Sequence, residues 1–170
     1  MLREVLERAS LKASARGVML ESLDAVRMRR SLPVEKAVES GTLLAFGMNG
    51  AMLTSDYGFP LRAVVSGWAA VASVKWLGRI YVSETQLSSP WNTDKYVLTG
   101  GEFGADREPV EERGVKSALE LPWPARLQEG RHVLSGRSWS GYGAISRVEY
   151  SVGGGPWREA LLFGENTPGA

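Results

Sequence analysis

The sequence predicts an α+β fold in two parts: a mixed unit with short helices among short strands over residues 1–86, then a strand-only unit over 113–170. Three observations carry this. Helical spacing of apolar residues occurs only near the N-terminus. Residues 87–112 turn to Ser, Pro, Gly, Asp and Glu with no clear period, as a long connection between units does. Beyond them every apolar segment is short and bounded by Pro, Gly or Ser, at the spacing of a β-sandwich.

The elements follow in order. Over residues 1–9, Leu2, Val5, Leu6 and Ala9 fall at helical spacing with charges on the opposite face, which predicts a short amphipathic helix. No capping residue leads into it, so the chain is expected to begin part-way through a domain. Residues 17–21 read as a strand and 27–32 as a second, polar one near a sheet edge. Pro33 suits the first turn of a helix running to Ala37 and Val38, because the amide it lacks would be unpaired there anyway. Glu39, Ser40 and Gly41 end that helix. Residues 42–46 are expected to form a strand leading to a turn at Asn49-Gly50, and 77–82 another strand. In the second unit strands are expected over 115–121, 130–138, 144–152 and 157–163, with Gly153-Gly154-Gly155 as hairpin punctuation. These are about four strands where a complete sandwich has about seven, so this unit too is expected to be cut short.

Composition narrows the function classes. The 170 residues carry a formal net charge of +1, with the basic residues scattered, which argues against nucleic acid as main partner. There is no cysteine, so disulfides, iron–sulfur clusters and thiolate ligands find no residues here, and with His132 as the one imidazole the composition argues against a protein-built zinc site or a histidine-dependent triad. No apolar run is long enough to span a bilayer, and Arg3, Glu4, Glu7 and Arg8 occupy the place of a signal peptide's apolar centre. As it stands the chain is expected in the cytoplasm; a longer parent carrying an export signal would place it in the periplasm.

Chemistry concentrates in residues 56–76. A turn at Tyr57-Gly58-Phe59-Pro60 opens the block. An apolar run carrying Arg62 follows, then a break at Gly67 and a second apolar run carrying Lys75. Cations inside such runs are costly to desolvate unless they meet an anion or reach water. Two arrangements satisfy this: an anionic ligand held between the runs, or Arg62 and Lys75 pointing outward from half-buried strands. The small residues Ala69, Ala70, Ala72 and Ser73 would let a ligand approach the main chain closely. Elsewhere the motifs are structural. Gly141-Tyr142-Gly143 lacks the later glycine and helix of a dinucleotide fingerprint, and Ser138 lacks the final glycine of a nucleophile elbow. His132 reads as a surface residue, Glu108, Glu111 and Glu112 as a solvated turn, and Trp68, Trp76, Trp123, Trp139 and Trp157 as packing residues.

The words YGFPLR (57–62), VVSGW (64–68) and SVKWL (73–77), in this order, resemble HGFPLR, VVPGW and SVKWL of the sulfite oxidase family of molybdenum enzymes. Leu43-Leu44-Ala45 with Met48-Asn49-Gly50 resembles that family's LLAYEMNG. Val115-Lys116-Ser117, LSGRSWSG (134–141), SRVEYS (146–151) and GGPW (154–157) resemble the start of its dimerisation domain. Nearly the whole chain is covered.

The resemblance implies the C-terminal part of a molybdopterin-binding domain followed by a partial immunoglobulin-like β-sandwich that forms a homodimer. It implies a molybdenum–molybdopterin cofactor and oxygen-atom transfer to a small oxyanion such as sulfite, with electrons passed to a haem or another acceptor. Tyr57, Arg62, Ser73, Val74 and Lys75 match cofactor-binding positions, Arg62 through its side chain and the 73–75 segment partly through its backbone. No catalytic or metal-binding residue is assigned. Asn49 is a weaker candidate, since an Asn-Gly pair is ordinarily a turn. Three departures stand out: Tyr57 replaces a histidine, Ser66 replaces a proline, and the family's metal-binding cysteine has no counterpart. The expectation is therefore an oxidoreductase that is incomplete and inactive as this chain alone. The alternative is a non-catalytic scaffold of the same fold, a pseudoenzyme or truncated reading frame, that binds no metal.

Overall fold

The computed structural model describes residues 1–100 and 107–166. Residues 101–106 of the expected connection and 167–170 of the expected second unit lie outside the described residues. The chain divides into two compact units, Met1–Glu111 and Glu112–Ala170.

The first unit opens with helix α1 (Leu2–Arg8), whose apolar stripe buries Leu2 and Leu6. Strand β1 (Gly17–Ser22) is buried along its whole length. It is the centre of a three-stranded antiparallel sheet, flanked by β2 (Arg29–Pro33) and, after a long excursion, β7 (Leu77–Ser83). A central strand covered on both faces reads as a continuous buried run rather than an alternating one, which is why Met19 and Glu21 are buried alongside Val18 and Leu20. Pro33 ends β2 and starts the single-turn helix α2 (Val34–Ala37), so its ring sits where no amide is needed.

Strand β3 (Thr42–Ala45) pairs antiparallel with β6 (Arg62–Val65), placing Ala45 opposite Arg62. Between them lies a small hairpin, β4 (Gly47–Met48) and β5 (Ala51–Met52), turned by Asn49 and Gly50. Both turn residues have positive φ, 53° and 79°, the geometry that favours Asn-Gly in a two-residue hairpin. Val18, Leu20, Leu32, Ala63, Val65, Trp68, Val74 and Leu77 form one core with the buried face of α1. Each large member contributes roughly 1.5–3 kcal/mol by leaving water.

The described part of residues 87–111 is tied closely to the first unit. It holds the single-turn helix α3 (Pro90–Thr93) and a two-residue pairing of β8 (Val97–Leu98) with β9 (Glu108–Pro109). The side-chain amide of Asn92 accepts from the Ser31 amide at 3.2 Å and donates to the Ser31 carbonyl at 3.4 Å. Ser89 Oγ donates to the Arg29 carbonyl at 2.6 Å. These two side chains occupy the outer edge of β2, where a fourth strand would otherwise lie. Arg30, fully buried, donates from its terminal nitrogens to the carbonyls of Trp91 and Val110. Burial pulls its pKa down, and the nearby Glu111 carboxylate opposes that pull.

In the second unit β10 (Lys116–Leu119) pairs with β11 (Gly136–Trp139), and β12 (Glu149–Tyr150) with β13 (Arg158–Glu159). All four are shorter than the sequence predicts, because the ladder holds only where a partner residue stands directly opposite. His132 is exposed but lies before β11, not at the start of a strand; its Nε2 meets the Gln128 carbonyl at 2.6 Å. The tryptophans do not all pack as expected. Trp68 is buried, but Trp123 is 96% and Trp157 70% exposed. The fold is thus mixed, with few short helices and mostly two-stranded sheets.

Candidate functional site

The two cations of the 56–76 block come to one place. A 3-10 turn, Ser55–Tyr57, ends at Gly58, whose φ of 99° is open to glycine alone at little cost. A Cβ on Gly58 would lie 2.9 Å from the Lys75 Cβ and 3.1 Å from its Cα, so only glycine lets the turn press against Lys75. From that position Lys75 Nζ donates to the Asp56 carbonyl. Arg62, entering from β6, donates from Nη1 to the neighbouring Tyr57 carbonyl at 3.2 Å and from Nη2 to the Ser73 carbonyl at 3.2 Å. Both charged groups therefore converge on the 55–58 turn, Arg62 from β6 and Lys75 from the 73–75 segment.

Among the described residues, no carboxylate forms an ion pair with Arg62 or Lys75. Their partners are neutral carbonyls, which use up donors without cancelling charge. A guanidinium has five N–H donors and an ammonium three, so both keep donors for an additional acceptor. Two half-buried positive charges side by side, each uncompensated, form a donor set suited to a phosphate.

The other candidates differ in what they offer. Tyr57 is half exposed, and Ser73 and Arg62 are partly so. Ser73 Oγ accepts from the Val65 amide at 3.1 Å, which locks the segment onto β6 and leaves the hydroxyl proton available. Val74 is buried, with its amide directed to the Ala72 carbonyl and its carbonyl to the Ala63 amide. It thus fixes the segment's path and keeps no open main-chain group. The run before it is not a strand: Ala70–Ala72 is a 3-10 turn, and the Ala69 amide is held by the Glu111 carbonyl at 2.7 Å. Asn49 lies in the β4–β5 turn, and no hydrogen bond among the described residues links its side chain to the two cations.

Sequence reasoning missed two participants. Trp76 has a φ of 49°, an outlier for so bulky a side chain that costs of order 1–3 kcal/mol. Its carbonyl accepts from the Leu23 amide at 2.9 Å, and its ring lies 5.8 Å from Lys75 Nζ. No sequence signal announces this conformation. Asp56 contributes its carbonyl, which any residue could supply, so its identity carried no hint. Among the described residues no group of three His, Cys, Asp or Glu could hold a metal ion. No helix there is long and apolar enough to cross a membrane.

Comparison with known proteins identifies the family. The family model described as the oxidoreductase molybdopterin binding domain matches residues 1–91. The mitochondrial sulfite oxidase of Mus musculus is 38% identical over 146 residues, covering 79% of this chain and 27% of that protein. The sulfite oxidase of Gallus gallus is 35% identical over 187 residues, covering 98% of this chain and 40% of its own. Among solved structures, the sulfane dehydrogenase SoxCD from Paracoccus pantotrophus superposes with a TM-score of 0.87 at 33% identity, covering 99% of this chain and 44% of that one. The chain thus spans well under half the length of these relatives. With its first 91 residues matched by the family model, this chain belongs to the molybdopterin-binding oxidoreductases of the sulfite oxidase family.

Proposed function

We propose that this chain forms the cofactor-phosphate end of a sulfite oxidase-like molybdenum oxidoreductase acting on a small oxyanion. The observation that carries the reading is the convergence of Arg62 and Lys75, both bonded to carbonyls of one turn and neither to a carboxylate among the described residues. In this reading Arg62 and Lys75 hold the phosphate of molybdopterin, and the Tyr57 hydroxyl donates to it where relatives carry an imidazole. Ser73 offers its hydroxyl, and Val74 sets the position of the segment. When bound, the molybdenum cofactor supplies oxygen-atom transfer and the two-electron redox chemistry. The chain's own residues bind and orient its organic part.

The domain assignment belongs to the same proposal: residues 1–86 as part of the molybdopterin-binding domain, 87–112 as connection, 113–170 as part of an immunoglobulin-like sandwich through which copies pair. A second reading, a scaffold of this fold that binds no metal, draws support from the absence of cysteine in the 170 residues.

The test is pterin content. The chain is expressed in a host that makes the cofactor, and bound pterin is measured by fluorescence after oxidative release. Arg62→Ala and Lys75→Ala should each remove a charge-assisted contact worth roughly 1.5–3 kcal/mol and lower retained pterin severalfold. Equal pterin in wild type and both variants would sink the assignment. Pterin retained without molybdenum would favour a chain whose metal thiolate comes from elsewhere.

A further inference from the structure

A second cluster of cations lies on the β2-β1-β7 sheet. Glu21 of β1 stands in register with Arg29 of β2 on one side and Arg79 of β7 on the other. Arg29 Nε donates to Glu21 Oε2, and Arg79 Nη1 donates to Oε1 at 3.1 Å. Arg27, at the end of the loop between β1 and β2, brings Nη1 to 3.8 Å from the same oxygen. The carboxylate is wholly buried beneath these three side chains, each about half exposed.

The stoichiometry is unbalanced. Three guanidiniums surround one carboxylate, which sets about fifteen N–H donors against the roughly four lone-pair sites a carboxylate offers. One further carboxylate lies close by, Asp24, and it accepts from Ser22 Oγ at 2.6 Å. Tyr81, two residues along β7 from Arg79 and so on the same face of the sheet, is 42% exposed. The three arginine side chains are about half exposed, and three guanidiniums against the carboxylates of Glu21 and Asp24 leave the cluster net positive.

Apolar side chains border it. Leu23 and Val26, on the same loop, are each 61% exposed. Leu23 rests over Gly78, where any Cβ would fall 2.1 Å from its Cγ, so the loop is seated on the sheet beside Arg79. Arginine and tyrosine are the residues enriched at protein interface hot spots, and Leu23 and Val26 add exposed apolar area beside them. A nucleic acid would ask for a longer basic stripe, and the chain's net charge is +1.

We infer that Arg27, Arg29 and Arg79, with Leu23 and Val26, form a docking surface for an acidic protein segment in which carboxylates alternate with apolar side chains. The surface uses none of the residues assigned to the cofactor, so its fate is independent of that reading.

The test uses a fluorescein-labelled peptide of glutamates interspersed with leucines, titrated into the full chain and followed by anisotropy at low and at physiological ionic strength. Binding should weaken with salt. Arg27→Gln should weaken it about threefold and Arg27→Gln with Arg79→Gln about tenfold, while Arg8→Gln, on the exposed face of α1, leaves it unchanged. Arg27 is the most peripheral of the three, so its replacement leaves Glu21 paired and the sheet folded, which a thermal melt checks. Unchanged affinity in Arg27→Gln, equal loss in Arg8→Gln, or tighter binding of a single-stranded oligonucleotide or of phosphatidylserine vesicles than of the peptide would overturn the inference.

Discussion

The two units of this chain use their apolar residues in opposite ways. In Met1–Glu111 the helices and the three-stranded sheet enclose one continuous core, from Leu2 to Leu77. In Glu112–Ala170 the described strands pair two by two, yet Val115, Leu119, Val133, Trp157, Leu161 and Phe163 are all exposed, and Ser140 is the one residue classed as buried among those described. Ladder hydrogen bonds exist in both units. Hydrophobic burial, at about 25 cal/mol per Å², stabilises only the first. Pairing writes a strand into a structure, but burial decides whether it is worth several kcal/mol or close to none, and isolated two-stranded ribbons are marginal in water.

This contrast can be broken experimentally. The largest effect belongs to the core: Leu20→Ala or Leu32→Ala should destabilise the first unit by about 2–5 kcal/mol in urea unfolding. Next comes Asn92→Ala, which leaves the amide and carbonyl of Ser31 without their partner and should cost about 1–3 kcal/mol. Val133→Ala or Leu161→Ala, in the second unit, should stay within about 0.5 kcal/mol. A loss of more than 2 kcal/mol at Val133 would show that this surface is covered in solution and would abolish the contrast.

A pH experiment sharpens the same comparison, since Glu21 is the buried carboxylate of the first unit. Burial raises its pKa, but the hydrogen bond and charge of Arg29, then the charges of Arg79 and Arg27, outweigh that and hold it below the usual carboxylate range. A depressed folded-state pKa means that the stabilisation is fully present above the unfolded pKa and is lost as pH falls through the folded one. The difference in urea midpoint between wild type and Glu21→Gln should therefore be constant at neutral pH and shrink below about pH 4.5. A gap that widens on acidification would contradict the assignment.

Much of the first unit was legible in the sequence. The helix at 1–9, the strand from residue 17, Pro33 as a helix start and Asn49-Gly50 as a turn all rest on local chemistry that no tertiary contact overrode. The helix at Pro90 was missed although Ser89 before a proline is a helix-start signal, because the surrounding composition reads as loop. Residues 27–32 read as a polar strand near a sheet edge, yet Arg30 within them is fully buried. Its burial depends on the carbonyls of Trp91 and Val110, some sixty and eighty residues away, and no local pattern encodes such a contact. At the candidate site the identities of Arg62 and Lys75 were legible, and their convergence was one of two arrangements the sequence left open. The partners that align them, the main-chain carbonyls of Asp56 and Tyr57, are invisible to any reading of side chains. In the second unit strand positions were legible while strand lengths were not, since length depends on what lies opposite.

The outer edge of β2 has a further consequence. A sheet margin with open amides and carbonyls is a template on which another chain can add a strand and begin to polymerise. Here the Asn92 amide and the Ser89 hydroxyl, carried by helix α3 and its N-cap, occupy those groups, so edge-to-edge growth on that side is blocked. Any self-assembly of this sheet must proceed from its opposite margin, along β7, where Arg79 on each approaching copy would set like charges against one another.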